Sequence, residues 1–451
     1  MRRCDGVRLT FHAVLVGATI AWAMWVAPPA WAQDPAKQPH PQATPPPAEE
    51  KKAAPQEKKA PAPPTEPVTP SPNDVTQQLE EAKRKHAGII ENDPISRLGS
   101  LWRELDEKLE ESIGLDLGLA YTILYQRATE ARGPRDAAGG DLDFFGTWRL
   151  LGDEEGDNVG KIGFFTETRH SYTSISPAEL KDSIGSLWKT TDGFDTQDFS
   201  LTQLWWQQDL FHNRLAFRIG KIDQGNLINT NRLKSDDLFF VNQAFSGNPA
   251  LPFPGTGLGA AVFGIPVEPL YILASFGDAN GDKTKAGFDT FFDDAEYIAA
   301  VEVGLRPLFE KIWRGNYRFT FWHIDEREKK GIPSGEGVAL SFDQEITQHV
   351  MALLRYGYAD DGGTDVRHIL SGGVTIKDPF GTTDDLLGVG LAWGEPQDRA
   401  LRDQYVAEAF YRVQVTPNIQ LTPGYQVIIN PSENPDDDVI GVFEIRFRLA
   451  F

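Results

Sequence analysis

From Leu115 to the C-terminal Phe451, apolar side chains recur at every second position in one segment after another. The last of these segments sets a row of apolar residues on one face against Glu444, Arg446 and Arg448 on the other. A period of two residues is that of a β-strand, whose successive side chains point to opposite faces. A soluble β-sandwich also alternates, but it rarely repeats charged residues along one face of strands this long. The alternation therefore predicts an all-β chain that forms an antiparallel transmembrane β-barrel.

Counting these alternating segments gives sixteen predicted strands, an even number such as single-chain bacterial barrels have. A barrel of this size encloses an aqueous lumen, whereas an eight-stranded barrel is filled by side chains. The predicted function is therefore that of a passive channel. The predicted strands span residues 115–127, 140–151, 158–171, 196–210, 212–222, 257–265, 267–277, 294–306, 315–326, 337–345, 347–359, 366–378, 384–394, 403–415, 417–430 and 438–451.

The N-terminus has the order of a secretory signal peptide. Arg2, Arg3 and Arg8 precede an apolar run from Leu9 to Val26, which is followed by the small-residue motif Ala30-Trp31-Ala32. We predict a signal peptide over residues 1–32, cleavage after Ala32, and export to the outer membrane of a Gram-negative-type envelope. Cleavage would also remove Cys4, the only cysteine, so the mature chain is expected to have neither a disulfide nor a thiolate metal site.

Two further regions are predicted before the barrel, which should occupy residues 114–451. Residues 33–72 are rich in Pro, Ala and Lys and lack apolar periodicity, which predicts an extended linker. Such a linker could be a spacer through the periplasm or cell wall, or a tail without a partner, and composition does not separate the two. Residues 73–113 are predicted to be a periplasmic helical region, in which Asp93 and Pro94 begin an amphipathic helix.

Composition and spacing weigh against several other functions. The formal net charge of −21 disfavours nucleic-acid binding, which selects basic surfaces. The histidines are scattered without a Ser-His-acid or metal-ligand spacing, so we predict that the chain is not an enzyme and has no metal site or cofactor. Acidic stretches such as Asp436–Asp438 lack the spacing of an EF-hand and are interpreted as solvated turns, with weak calcium binding left open.

The long connection after the fifth predicted strand, residues 223–255, is the first candidate for a constriction. It combines polar groups with Phe239, Phe240 and Phe245, and it is a better candidate than the other long connection, residues 174–196. Amides, carboxylates and arginines can replace the hydrogen bonds that a sugar makes with water, and aromatic faces can cover its C–H surface. An external loop packed on its own phenylalanines is the alternative. The candidate constriction and sugar-contact residues are Asp223, Asn226, Asn229, Asn231, Arg232, Lys234, Asp236 and Asp237.

Charged residues at alternate strand positions are candidates for the lumen wall. They carry both signs, whereas a phosphate-selective pore should show a one-sign basic ladder. Each could contact solute or form an inward ion pair that only solvates the lumen, and the second role is common for such residues. The candidate wall residues are Arg149, Lys161, Glu167, Arg169, Arg218, Glu296, Glu302, Arg318, Arg355, Glu408 and Arg412.

Several blocks of this sequence resemble the carbohydrate-selective porin family of the OprB type. The likeness covers roughly residues 115–451, and its most specific part lies near the C-terminus. The similar blocks are Gly220-Lys221-Ile222-Asp223, Asn229-Thr230-Asn231, Phe239-Phe240, Asn242-Gln243-Ala244-Phe245, Phe276-Gly277-Asp278-Ala279-Asn280, the run from Glu408 to Pro417, Leu421-Thr422-Pro423, Gln426, Asn430-Pro431 and the terminal Phe451.

The resemblance implies a sixteen-stranded porin that passes glucose-type mono- and oligosaccharides, and it allows a trimer. The expected partners are small carbohydrates and outer-membrane lipid, together with cell-wall or periplasmic contacts of the N-terminal region. A general diffusion porin whose N-terminal region tethers the envelope is the alternative function.

Overall fold

The computed structural model describes residues 71–90, 93–152, 156–309, 313–381 and 384–451. The predicted signal peptide and nearly all of the predicted linker lie outside the described residues. Among the described helices, none is long and apolar enough to cross a membrane.

Sixteen long strands form one antiparallel sheet that closes on itself. Each strand pairs with the next along the chain, and β1 pairs with β16 from Ala120 opposite Ala450 to Ala128 opposite Val442. The two-residue segment Leu308–Phe309 only extends the β8–β9 hairpin, by pairing with the start of β9. The strands are β1 Leu115–Ala128, β2 Asp136–Leu151, β3 Asn158–Ser171, β4 Gln197–Leu210, β5 Leu215–Ile222, β6 Gly257–Val267, β7 Leu270–Asp278, β8 Tyr297–Leu305, β9 Trp313–Ile324, β10 Gly335–Glu345, β11 Val350–Asp361, β12 Val366–Lys377, β13 Leu386–Pro396, β14 Gln404–Thr416, β15 Ile419–Ile429 and β16 Val439–Ala450.

The two faces of the sheet differ as the alternation predicts. On β9, Phe319 and Phe321 are about half exposed, whereas Arg318 and Thr320 between them are buried. On β16, Phe443 is exposed while Glu444 and Arg446 are buried. The outer face is therefore apolar and meets lipid, and the inner face carries the polar and charged side chains. This confirms the predicted fold class, a sixteen-stranded antiparallel barrel.

The two ends of the barrel differ in the length of their connections. Short turns such as residues 211–214 and 417–418 lie at one end of the barrel. The first residue of β1, Leu115, and the last residue of β16, Ala450, lie at the same end. The long connections, residues 172–196 and 223–256, lie at the opposite end. In bacterial barrels the short turns are periplasmic and the longer loops extracellular, which orients this barrel.

Two predicted strand starts were wrong for local reasons. The predicted strand 212–222 begins only at Leu215, because Phe211, His212 and Asn213 all adopt positive φ and form the turn. The predicted strand 294–306 begins at Tyr297, because residues 290–294 form a π-helical turn. The candidate wall residue Glu296 therefore precedes β8 and does not lie on it.

Two helices come before the barrel and pack against different parts of it. Asp74 caps helix α1 (Val75–Lys83), and Asp93 caps helix α2 (Pro94–Ile113), which ends at Gly114 in the left-handed region with φ 72°. Helix α2 lies along the start of β1, where the Asp106 carboxylate accepts a hydrogen bond from the Leu117 amide at 2.7 Å. Two short helices occur in the long connections, α3 (Leu180–Ile184) and α4 (Gln243–Ser246).

The facing of the strands can be tested at Val301, which lies at the centre of β8 and is 48% exposed on the outer face. We expect Val301→Arg to reduce the free energy of unfolding in bilayers by about 2–4 kcal/mol, because arginine near the bilayer midplane is strongly disfavoured. Gln348→Arg, in the exposed turn between β10 and β11, should leave it nearly unchanged. Equal losses in urea titrations of vesicle-folded protein would contradict the facing.

Candidate functional site

The connection between β5 and β6, residues 223–256, is irregular yet almost wholly buried. It contains only a single 3-10 turn at Gln224–Asn226 and the short helix α4. Buried backbone N–H and C=O groups need hydrogen-bond partners, and an irregular chain provides few of its own. Some of the hydrogen bonds of this connection are made within the connection itself, and several others come from side chains of the strands.

Four arginines on the inner face of the barrel donate to backbone carbonyls of this connection. Arg318 donates to the Thr230 carbonyl at 2.5 Å, and Arg412 donates to the Leu238 carbonyl at 3.1 Å. Arg355 binds three carbonyls, those of Asn229 at 3.1 Å, Phe245 at 3.0 Å and Gly247. Arg446 binds the carbonyls of Phe239 at 2.9 Å and Asp236.

Two glutamates on the same face accept hydrogen bonds from backbone amides of the connection. Glu302 accepts from the Asn229 amide at 2.7 Å, and Glu408 accepts from the amides of Val241 at 2.7 Å and Asn242 at 2.9 Å. Five of the candidate wall residues, Glu302, Arg318, Arg355, Glu408 and Arg412, are thus used to bind the connection.

Four of the eight candidate constriction residues are buried or bound to other parts of the protein. Asn229 and Asn231 are fully buried, and Arg232 forms ion pairs with Asp343 at 2.5 Å and Glu345 at 2.7 Å. Lys234 donates to the Gly225 carbonyl, and burial together with the nearby Arg355 lowers the pKa of Lys234 to about 8.

The other half lines a polar cavity that is open to solvent. Asp223, Asn226, Asp236 and Asp237 all line it. Residues of helix α1 and its start, of the inner face of β2 to β4 and of the β7–β8 connection line it as well. The charged residues among these are Asp141, Asp143, Glu167, Arg169 and Lys283.

Arg169 is the central cation of this cavity. It pairs with Asp141 at 2.7 Å, with Asp195 at 2.6 Å and with Glu167. Lys283 lies 3.6 Å from Glu167. The candidate wall residues Glu167 and Arg169 therefore face the same cavity as four of the candidate constriction residues.

The remaining candidate wall residues lie elsewhere. Arg149 and Lys161 line a second cavity near the periplasmic end. Glu296 accepts from Asn280 at 2.5 Å and from the Glu328 amide at 2.9 Å, within the loops of the opposite end. Arg218 forms an ion pair at 2.6 Å with the fully buried Asp74.

That ion pair places helix α1 and residues 71–74 inside the barrel. Val75 and Leu79 are buried in one apolar cluster with Phe145 and Phe165 of the inner face, and the Ser71 hydroxyl donates to the Lys234 carbonyl at 3.2 Å. Burial alone would raise the pKa of Asp74, but Arg218 and the hydrogen bonds from Thr76 together hold that pKa below its ordinary value. The prediction of a helical region before the barrel did not anticipate this position.

Sequence reasoning also missed the contribution of the first long connection, residues 172–196. The Asp236 carboxylate accepts from the Gly193 amide at 2.6 Å and from the Thr191 hydroxyl at 3.1 Å, so the two long connections meet at Asp236. It missed Asp141 and Asp143 as well. Their signal was present, because both occupy the same alternate positions of β2 as Arg149.

A closed sixteen-stranded antiparallel barrel with an apolar outer face and a charged inner face defines an outer-membrane channel of the porin class. A family model described as the carbohydrate-selective porin, OprB family, matches residues 163–451, and the chain belongs to that family. Porins are channel proteins, in agreement with the predicted class of function.

Relatives and solved structures agree with this assignment. Porin AaxA of Chlamydia abortus is 22% identical over 312 residues, which cover 67% of this chain and 68% of that protein. Porin AaxA of Chlamydia caviae is 20% identical over 408 residues, covering 83% and 86%. A high-pH structure of Pseudomonas putida OprB has a TM-score of 0.63 and 16% identity, covering 78% of this chain and 97% of that one, which shows a shared fold.

The titration of Asp236 gives a testable pH dependence. Burial, and then the neighbouring carboxylates Asp237 and Asp192, raise its pKa to about 7, against the opposing effect of Arg169. A raised pKa keeps this carboxyl neutral below about pH 7 and charged above it. We therefore expect the ratio of cation to anion permeability, from reversal potentials in planar bilayers, to rise between pH 6 and pH 8.

In the Asp236→Asn variant, the amide keeps an acceptor oxygen for Gly193 but cannot titrate. The cation-to-anion permeability ratio of this variant should therefore change less between pH 6 and pH 8 than that of the wild type. An unchanged pH profile in Asp236→Asn would assign the titration to other groups.

Proposed function

We propose that this porin lets small neutral carbohydrates, glucose-type mono- and oligosaccharides, diffuse passively through a lumen narrowed by the connection 223–256 and by helix α1. The chemistry of the cavity between Asp236 and Arg169 is the observation that carries the proposal. Membership in a carbohydrate-selective porin family supports the same substrate class.

The cavity offers the groups that a sugar needs on leaving bulk water. Sugar hydroxyls both donate and accept hydrogen bonds. Carboxylates such as Asp237 accept them, the guanidinium of Arg169 donates them, and the amide of Asn226 does both. Phe165 provides an apolar face for the C–H surface of the ring.

The charge of the cavity favours neutral sugars over anionic ones. Carboxylates outnumber cations among its lining residues, in which Arg169 and Lys283 are the positive groups. A narrow passage with excess negative charge raises the energy of an entering anion. Sugar acids and sugar phosphates should therefore pass more slowly than neutral sugars of the same size.

The narrowing is supported by the way the connection is held. Its backbone is bound from three sides, by Arg318 on β9, Arg355 on β11 and Arg446 on β16. Helix α1 also occupies part of the lumen from the periplasmic side, where Asp74 pairs with Arg218. Two chain segments thus share the interior with the solute path.

The substrate class can be tested by liposome swelling. We expect glucose to enter faster than a disaccharide, and gluconate to enter more slowly than glucose. Asp237→Ala should slow glucose entry and weaken sugar block of ion current, because Asp237 lines the cavity and its nearest cation, Arg448, is 4.0 Å away. Asp157→Ala, in an exposed turn, is the matched control. Rates that follow solute size alone, with no effect of Asp237→Ala, would instead identify a general diffusion porin.

The narrowing can be tested separately at Arg355. Arg355→Ala removes the donor of three backbone carbonyls of the connection, so we expect a larger single-channel conductance with more current fluctuation and weaker discrimination among sugars. Arg127→Ala, at the exposed rim of β1, removes a guanidinium of the same size without touching the connection. A folded Arg355→Ala barrel with unchanged conductance would place the narrowest point elsewhere.

A further inference from the structure

Three carboxylates converge on one point of the inner wall. Asp141 and Asp143 occupy alternate positions of β2, and Glu167 of β3 lies directly opposite Asp143 in the antiparallel register. One carboxylate oxygen from each of the three lies within 4.8 Å of the other two. All three side chains are nearly inaccessible to solvent.

The cations near this cluster do not balance it. Arg169 pairs with Asp141, Glu167 and Asp195, and Lys283 lies near Glu167. Together with Asp143, this makes four carboxylates against two cations, and one of the four, Asp195, lies outside the cluster and is about half exposed. Among the described residues none forms an ion pair or a hydrogen bond with the carboxylate of Asp143.

Two carboxylate oxygens of the cluster lack partners altogether. The Oδ1 atoms of Asp141 and Asp143 are buried and accept no hydrogen bond from any described residue. A buried charge is strongly disfavoured unless it is paired, hydrogen-bonded or bound to a metal ion. Further positive charge, either protons on the carboxylates or a bound cation, would therefore stabilise the cluster.

A neutral side chain on another strand also has a buried oxygen atom without a partner. Gln203 of β4 lies on the inner face opposite Phe165, is 4% exposed and lines the same cavity as the carboxylates. Its amide oxygen Oε1 is also buried without a hydrogen-bond partner among the described residues. An amide oxygen is a ligand that hard divalent cations accept, and it is not part of the acidic cluster.

We propose that Asp141, Asp143, Glu167 and the amide oxygen of Gln203 form a calcium site in the wall of the pore. The donor set is all oxygen, without the nitrogen or sulfur ligands that zinc and copper favour. Calcium tolerates irregular geometry and completes its coordination with water, whereas magnesium demands a nearly ideal octahedron. One divalent ion would provide a partner for the carboxylate oxygens that lack one, while Arg169 keeps the oxygens it already binds.

Calcium at this position would change what the pore admits. The bound ion would cancel the excess negative charge next to Arg169, so the passage would prefer cations less strongly. The site would thereby couple ion selectivity to the external calcium concentration. This effect is independent of whether carbohydrates are the solutes that pass.

Calcium binding to the folded, detergent-purified barrel can be measured by titration calorimetry in the absence of sugar. We expect one calcium ion per chain, weaker binding of magnesium, and at least tenfold weaker calcium binding in Asp143→Asn and in Gln203→Leu. Asp209→Asn is the matched control, because Asp209 is an equally buried strand carboxylate that lines the other cavity. Heat-dependent gel migration verifies that each variant is folded.

Reversal potentials give a second readout. Added calcium chloride should lower the cation preference of the wild type and leave that of Asp143→Asn unchanged. Absence of calcium binding by the wild type would overturn the proposal. Equal binding by the wild type, Asp143→Asn and Gln203→Leu would overturn it as well, since calcium would then bind elsewhere.

Discussion

The interior of this porin depends on hydrogen bonds from charged side chains of the barrel wall to the backbone of the connection between β5 and β6. Irregular backbone at membrane depth is tolerated only inside the protein or along a water-filled path, and its polar groups must still be satisfied. Arginines bind the carbonyls of the connection, and Glu302 and Glu408 bind its amides. The side chains of the wall therefore supply hydrogen bonds to this backbone, as a neighbouring strand does in a regular sheet.

Arginines that occupy equivalent inward-facing strand positions in the sequence therefore have different roles in the structure. Arg318 and Arg355 are fully buried and use their donors on backbone or on buried carboxylates, so they act on the position of the connection. Arg169 faces the open cavity and retains contact with solvent on one side. Arg318 also pairs with the buried Glu302 and Asp343, and because removing one partner of a buried charged pair commonly costs about 3–5 kcal/mol, Arg318 is important for stability as well.

Much of the fold could be predicted from the sequence, because a period of two is a direct consequence of strand geometry and because only one face of each strand meets lipid. The strand order and the two long connections followed from it. The roles of individual inner residues did not, since alternation tells which face Arg169 and Arg412 occupy but not which chain segment lies opposite them. The position of Asp74 against Arg218 is a contact over 144 residues, and no local pattern encodes it.

The wall side chains bind main-chain atoms of the connection in most of these contacts. The identity of a side chain such as Asp237 can therefore change while the carbonyls and amides that hold the segment remain the same. The barrel and the course of the connection form a fixed scaffold, and the side chains that line the cavity are a replaceable surface on it. A few substitutions along the connection could thus redirect such a pore toward other solutes without a new fold, which makes this segment the natural place for relatives to diverge and for engineering to begin.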